Sequence, residues 1–205
     1  MSNELIVFSL AAAIMELDTV YAGQFLLSRP VIAGTILGYA AQNTAAGVVL
    51  GMWFELLYCG LVPVGSVILP SGVISVACAV IAADMFGMYI PAAFMLGLLG
   101  AKGFCMLEEK MRRMRSGWNE KIARQTAAEY DVVDLWIYRS LVSQFALGFI
   151  YLVLFGVTAA PLAAYIMGHA PEAVTKALRL GFLMVPWIGA AMLFENLREP
   201  KGKNG

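Results

Sequence analysis

The sequence predicts an all-α integral membrane protein of about six hydrophobic segments, some of them broken or re-entrant, joined by a charged cytoplasmic connector. Three observations carry that prediction. Of 205 residues, 60% are hydrophobic and 14% charged, with a mean hydropathy of +0.77. A water-soluble fold of this length cannot hide so much apolar surface. Charge is densest in one stretch, 108–134, and the apolar runs on either side of it are interrupted by Gly, Pro and isolated polar residues.

The charge balance excludes some functions at once. Fourteen basic and fourteen acidic residues cancel, so no global field attracts nucleic acid or steers an acidic partner. Cys59, Cys78 and Cys105 are far apart and embedded in apolar runs, which fits small packing residues better than a disulfide framework or a metal site. The opening MSNEL carries Glu4 and no basic residue, the wrong flank for a cleaved leader, so the N-terminus is read as part of the membrane region.

A bilayer core takes about 20 apolar residues per helical span. The first run, Leu5 to Leu17, is short unless Glu16 and Asp18 are carried inside with it. Runs from Pro30 to Ala41, Ala45 to Val62, Ser66 to Ala83 and Met85 to Leu107 follow, several of them short for a full crossing. From Glu108 the chain is amphipathic and charged, with Glu108 and Arg112, Glu109 and Arg113, and Glu120 and Arg124 at the i,i+4 spacing of a solvated helix; Ser116-Gly117 is expected to interrupt it. Two clear spans come next, Leu141 to Met167 and Val174 to Phe194, and then a basic tail. The expected organisation is therefore a membrane region 1–107, a cytoplasmic connector 108–134, two further spans in 135–195 and a tail 196–205. The positive-inside rule puts connector and tail on the cytoplasmic side. The cluster from Lys110 to Arg115 reads either as a topology determinant or as a docking surface for lipid or a cytoplasmic partner.

Glu55 is the most informative residue. An ionised carboxylate at mid-helix costs about 2.5 to 3.5 kcal/mol even on the mild insertion scale. It either hydrogen-bonds a neighbouring helix or serves as an acceptor for a polar solute. Downstream, Pro63 and Gly65, then Pro70 and Gly72, place helix breakers around a short apolar run. Irregular backbone at membrane depth is tolerated where protein or a water-lined cavity satisfies it, as at transporter binding sites; two surface turns are the plainer reading. Gly34 with Gly38, and Gly47 with Gly51, offer small faces for close helix contact. Arg29 beside Pro30 reads as an interfacial anchor, Asp84 as a mark of a short turn, and His169 as part of a turn between the last two spans. The chain lacks the P-loop, HExxH and GxSxG motifs and any paired Cys/His cluster, so no cofactor or metal is expected.

The stretch from Asp18 to Ala79 resembles the membrane-embedded IIC subunit of the mannose/fructose/sorbose family of the bacterial sugar phosphotransferase system. The resemblance rests on Gln24-Phe25 with Ser28-Arg29-Pro30, on Gln42-Asn43-Thr44 leading to Gly47, on Gly51 with Glu55-Leu56-Leu57, and on Pro63-Val64-Gly65 with Pro70-Ser71. Asn43 and Ser71 stand where the family pattern has acidic residues. The resemblance implies an inner-membrane permease that carries a hexose or amino sugar inward. It implies a IID membrane subunit as partner, IIA and IIB phosphocarriers that phosphorylate the sugar, a homo-oligomer in the lipid bilayer, and no catalytic residue in this chain. It further implies that Gln24, Glu55, Ser66 and Ser71, with Asp18 and Asn43, supply the sugar-binding groups. A transport-inactive scaffold or sensor that binds a phosphocarrier is the competing reading.

Overall fold

The computed structural model describes residues 2–18, 25–60, 68–126 and 132–198. Every regular element among them is helical: α1 (Ser2–Leu17), α2 (Pro30–Ala40), α3 (Thr44–Tyr58), α4 (Gly72–Val80), α5 (Ile90–Ser116), α6 (Asn119–Thr126), α7 (Val132–Leu154), α8 (Ala160–Gly168) and α9 (Glu172–Leu197). Wider π-helical turns, Ile81–Met85 and Phe155–Ala159, extend α4 and join α7 to α8. Among the described residues, three helical stretches are long and apolar enough to cross a membrane: Ile90–Ala123, Val133–Gly168 and Glu172–Glu195. The chain is a helical membrane protein, as its composition requires.

The first four helices are short for local reasons. Pro30 opens α2, where its missing N–H costs nothing. At the other end Gln42 takes the left-handed conformation (φ 59°). There the Asn43 N–H donates to the Gly38 carbonyl at 2.8 Å and the Gln42 N–H to the Tyr39 carbonyl at 3.0 Å, a Schellman closure that stops the helix. Asn43 then caps α3, its Oδ1 accepting from the Ala46 N–H at 3.3 Å. Ser71 caps α4 in the same way, accepting from the Ile74 N–H at 3.2 Å. At 1.5 Å per residue α2, α3 and α4 are about 16, 22 and 14 Å long, against about 30 Å of hydrocarbon.

Helices α2 and α3 form an antiparallel hairpin held by backbone proximity. A Cβ on Gly38 would lie 2.7 Å from the Gly47 Cα, and one on Gly51 would lie 2.5 Å from the Pro30 carbonyl oxygen; Gly34 and Gly47 face each other's carbonyl oxygens more closely still. The two small-residue motifs are thus the two halves of one interface. All of α4 beyond Gly72 is buried, wedged between this hairpin and α5. Gly97 lets α5 approach the Ser75 carbonyl and the Phe54 ring. Phe54 stacks on Phe94 with ring centroids 4.5 Å apart, and Trp53 donates to the Phe182 carbonyl at 3.0 Å, drawing α9 onto the hairpin. Helix α7 closes on α1, where Gly148 meets Ala13 and Gly156 meets the Leu5 side chain.

Several boundaries differ from the sequence reading. The fifth apolar run starts at Ile90, not Met85, and its helix continues through Glu108 to Ser116. The i,i+4 pairs Glu108 with Arg112 (2.6 Å) and Glu109 with Arg113 both form, so apolar and charged halves share one helix. Its end at Ser116-Gly117 falls where expected. The third pair, Glu120 with Arg124, involves a side chain outside the described residues. The sixth run begins earlier, at Val132. Asp84 lies within the π-helical turn and not in a loop; the break follows it, where Gly87 adopts φ 61°. His169 sits in the turn between α8 and α9, its Nδ1 2.9 Å from the Tyr165 carbonyl oxygen. The three cysteines are free thiols.

Candidate functional site

The ends of the short helices carry two polar groupings, a hydrogen-bonded network of Glu16, Ser71, Ser75 and Tyr58 and an ion pair of Arg29 with Glu55. Helix α1 delivers Glu16 and Asp18 at its last turn, α2 starts from Arg29 and Pro30, α3 contributes Glu55 and Tyr58, and α4 begins at Ser71. Pro30 is the hub: its carbonyl touches Gly51 of α3, and its ring lies 2.5 Å from where a Gly72 Cβ would be. A larger residue at either glycine would push α3 or α4 away from α2.

Glu16 is buried, and its Oε2 accepts from the Ser71 hydroxyl at 2.5 Å. The same hydroxyl caps α4, so one oxygen ties α1 to the α4 N-terminus. One turn on, the Ser75 hydroxyl donates to the Ser71 carbonyl at 2.7 Å and lies 2.8 Å from the Tyr58 hydroxyl. Since Ser75 already donates to Ser71, Tyr58 is the donor to Ser75. The hydroxyl chain therefore runs from α3 through Ser75 to the Ser71 backbone. Glu16 was legible only as a charge that the first run had to carry inside.

Arg29 Nη1 donates to Glu55 Oε1 at 2.9 Å. The interfacial-anchor reading of Arg29 is incomplete: though more than half exposed, it is spent on orienting Glu55. The second oxygen of Glu55, Oε2, is buried and has no hydrogen-bond partner among the described residues. A buried carboxylate oxygen with both lone pairs unused is costly unless something else occupies it.

Asp18 has a different task. Its Oδ1 accepts from the Phe25 N–H at 2.6 Å and its Oδ2 from the Ser28 N–H at 3.1 Å. It shapes the turn that aims Arg29 and Pro30. Asn43, expected beside Glu55, lies at the opposite end of α3, where it is the cap of that helix; twelve residues of helix, about 18 Å, separate the two. Gln24, Ser66, Pro63 and Gly65 lie outside the described residues. Pro70 leads directly into the Ser71 cap, and Gly72 admits the Pro30 ring.

A second polar layer sits towards the charged end of α5. Glu108 is buried and accepts from Arg112 Nε and Nη2 at 3.1 and 2.6 Å. Arg115 donates to the buried Gln144 of α7 at 2.8 Å. Glu108 and Arg112 are near enough to act electrostatically on Glu16. Among the described residues no group of three or more His, Cys, Asp or Glu is placed to hold a metal ion.

Residues 3–201 match the family model described as the sorbose-specific IIC component of the PTS system. Two solved structures are similar over 97% of this chain at 19% identity. One, described as the structure of a membrane protein, has a TM-score of 0.81 with 81% of its chain covered. The other, a cryo-EM structure of the mannose transporter ManYZ in complex with a microcin, has a TM-score of 0.65 with 80% covered. At that identity the likeness establishes the fold. No curated protein matched the sequence.

Proposed function

The chain belongs to the sorbose-specific IIC component family of the phosphotransferase system, and from that premise we propose that it carries a hexose or amino sugar across the bacterial inner membrane. It does so as the non-catalytic permease subunit beside a IID membrane partner, with IIA and IIB carriers phosphorylating the sugar on the cytoplasmic side. The family membership and the helical membrane fold support a sugar permease subunit; the sugar, the partners and the site residues are our assignment.

The observation that carries the assignment is the free Oε2 of Glu55. Arg29 holds Oε1, so the carboxylate is fixed in direction while one oxygen is buried and unsatisfied among the described residues. A sugar hydroxyl supplies the donor that this oxygen lacks, and a fixed acceptor loses little entropy on binding. Pro30 contacts both Gly51 of α3 and Gly72 of α4, so the network of Ser71 with Glu16, Ser75 and Tyr58 belongs to the same end of the short helices. Directional groups beside broken helices suit a ligand whose surface is mostly hydroxyl. Gln24 and Ser66 complete the proposed set on the strength of the family pattern. Asp18 acts on the site through the backbone of the turn it shapes, whereas Asn43, the cap of α3, lies at the far end of that helix.

The test is uptake of radiolabelled sorbose and mannose into cells that express this chain with its IID partner. Glu55→Ala is expected to lower uptake at least tenfold, equivalent to about 1.4 kcal/mol of lost binding or transition-state stabilisation, while the protein still accumulates in the membrane. Equal uptake by wild type and Glu55→Ala would overturn the role of Glu55. Absence of uptake for any sugar in either would favour the transport-inactive scaffold.

A further inference from the structure

A cavity of about 780 Å³ lies at the other end of the short helices. Its wall is drawn from three separate elements: Asn3, Glu4 and Phe8 from α1, Gln42 from the α2–α3 turn, and Asp84 and Met85 from the π-helical turn after α4. The volume is within the range of small-ligand sites, about 300 to 1,000 Å³. The chemistry is two amides and two carboxylates set against an aromatic ring and a thioether. Hydroxyl groups on one edge of a sugar ring and C–H groups on its face have the same duality.

The cavity is distinct from the Glu55 cluster. Along α1, Glu4 and Glu16 are twelve residues apart, a rise of about 18 Å, so one hexose cannot touch both places. Between them, on the side of α1 that carries Glu16 two turns later, Ser9 is fully buried with no hydrogen-bond partner among the described residues. The sidedness follows from α5. Its charged C-terminal half marks the cytoplasmic end, so Ile90 and the neighbouring Asp84 belong to the outer end, and the cavity with them.

We propose that this cavity is an outer sugar subsite, which receives the transported hexose before it reaches Glu55. The inference rests on the sugar-permease reading above. Gln42 and Asp84 are its polar recognition groups and Phe8 its apolar floor.

The experiment is protection from labelling in intact cells that express the full transporter. A Gln42→Cys chain is treated with a membrane-impermeant maleimide, with and without sorbose or mannose; the wild-type chain, carrying only Cys59, Cys78 and Cys105, gives the background. The expected result is labelling from outside that either sugar slows several-fold, and the same slowing when Glu55→Ala has disabled the inner cluster. Labelling by a membrane-permeant reagent alone would overturn the outer placement. Protection that is absent, or that vanishes with Glu55→Ala, would overturn the subsite even where uptake is intact. Should Gln42→Cys fail to accumulate, Asp84→Asn provides the second reading: it is expected to raise KM for uptake more than it lowers Vmax, and an unchanged KM would overturn the proposal. Loss of the sugar-permease reading itself would register separately, as absence of uptake in wild type.

Discussion

The first four helices and the last three solve opposite problems. In α1 to α4 the helices are too short to cross, glycines bring backbones into contact, and carboxylates and hydroxyls are buried among them. In α7 to α9 the run is long and its side chains face outward: Trp187 is 74% and Phe194 72% exposed, an arrangement that suits lipid or another membrane subunit. The difference teaches where each kind of energy is placed. Long helices need only apolar side chains, since every backbone group is satisfied within the helix. Short helices leave their end groups open, and the chain closes them with Ser71, Asn43 and the Gln42 turn. The same interruptions that cost stability create the buried pair of Glu16 with Ser71 and the pair of Arg29 with Glu55.

The comparison breaks most sharply at the glycine interface. Gly47→Leu forces atoms into the backbone of Gly34 and Gly38, and no rotamer relieves a clash with main chain. The expected outcome is loss of the folded protein, a penalty of about 3 kcal/mol or more, read as a collapse in detergent-solubilised monodisperse material and in Tm. Gly168→Leu, at the last residue of α8 where a Cβ meets nothing within 4 Å, should leave both unchanged. Equal behaviour of the two would mean that close backbone contact does not distinguish the short helices.

Ser71→Ala is next. It removes the cap of α4 and strips buried Glu16 of its donor, and each loss costs about 1 to 2 kcal/mol. Tm should fall by several degrees and uptake should drop with it. Glu16→Gln with Ser71 intact retains a hydrogen-bonding side chain and should cost less; a greater loss than for Ser71→Ala would show that the charge, not the hydrogen bond, joins α1 to α4.

Arg29→Ala separates stability from transport. Its pair with Glu55 is more than half exposed on the Arg side, so its removal should cost less than about 1 kcal/mol of stability. If Arg29 orients Glu55, uptake should nonetheless fall markedly at unchanged protein level. Smallest of all is the double change Glu109→Ala with Arg113→Ala, which deletes a solvated i,i+4 pair worth about 0.2 to 0.5 kcal/mol. Tm should hardly move.

Much of this was legible in the residues. The helical membrane class, the special position of Glu55, the breakers at Pro70 and Gly72, and the small faces at Gly34, Gly38, Gly47 and Gly51 all come from hydropathy and residue type, which are local properties. Family membership was legible from Asp18 to Ala79 because glycine, proline and a carboxylate in an apolar run are each expensive, so their spacing is distinctive. The pairing of residues was not legible. Arg29 reads as an anchor until α3 brings Glu55 to it 26 positions away, and Asn43 reads as a ligand until the length of α3 removes it to the far end.

The sequence by itself determined that the chain lives in lipid and where some of its helices must stop, as at Ser116-Gly117, because burial of apolar surface and closure of backbone hydrogen bonds depend on runs and breaks along the chain. Only the tertiary structure decided which breaks meet. That depends on helix lengths and on the backbone contacts that glycine permits, and it brings Glu16 to Ser71 across 55 residues while it leaves Gln42 and Asp84 at the other end beside Glu4.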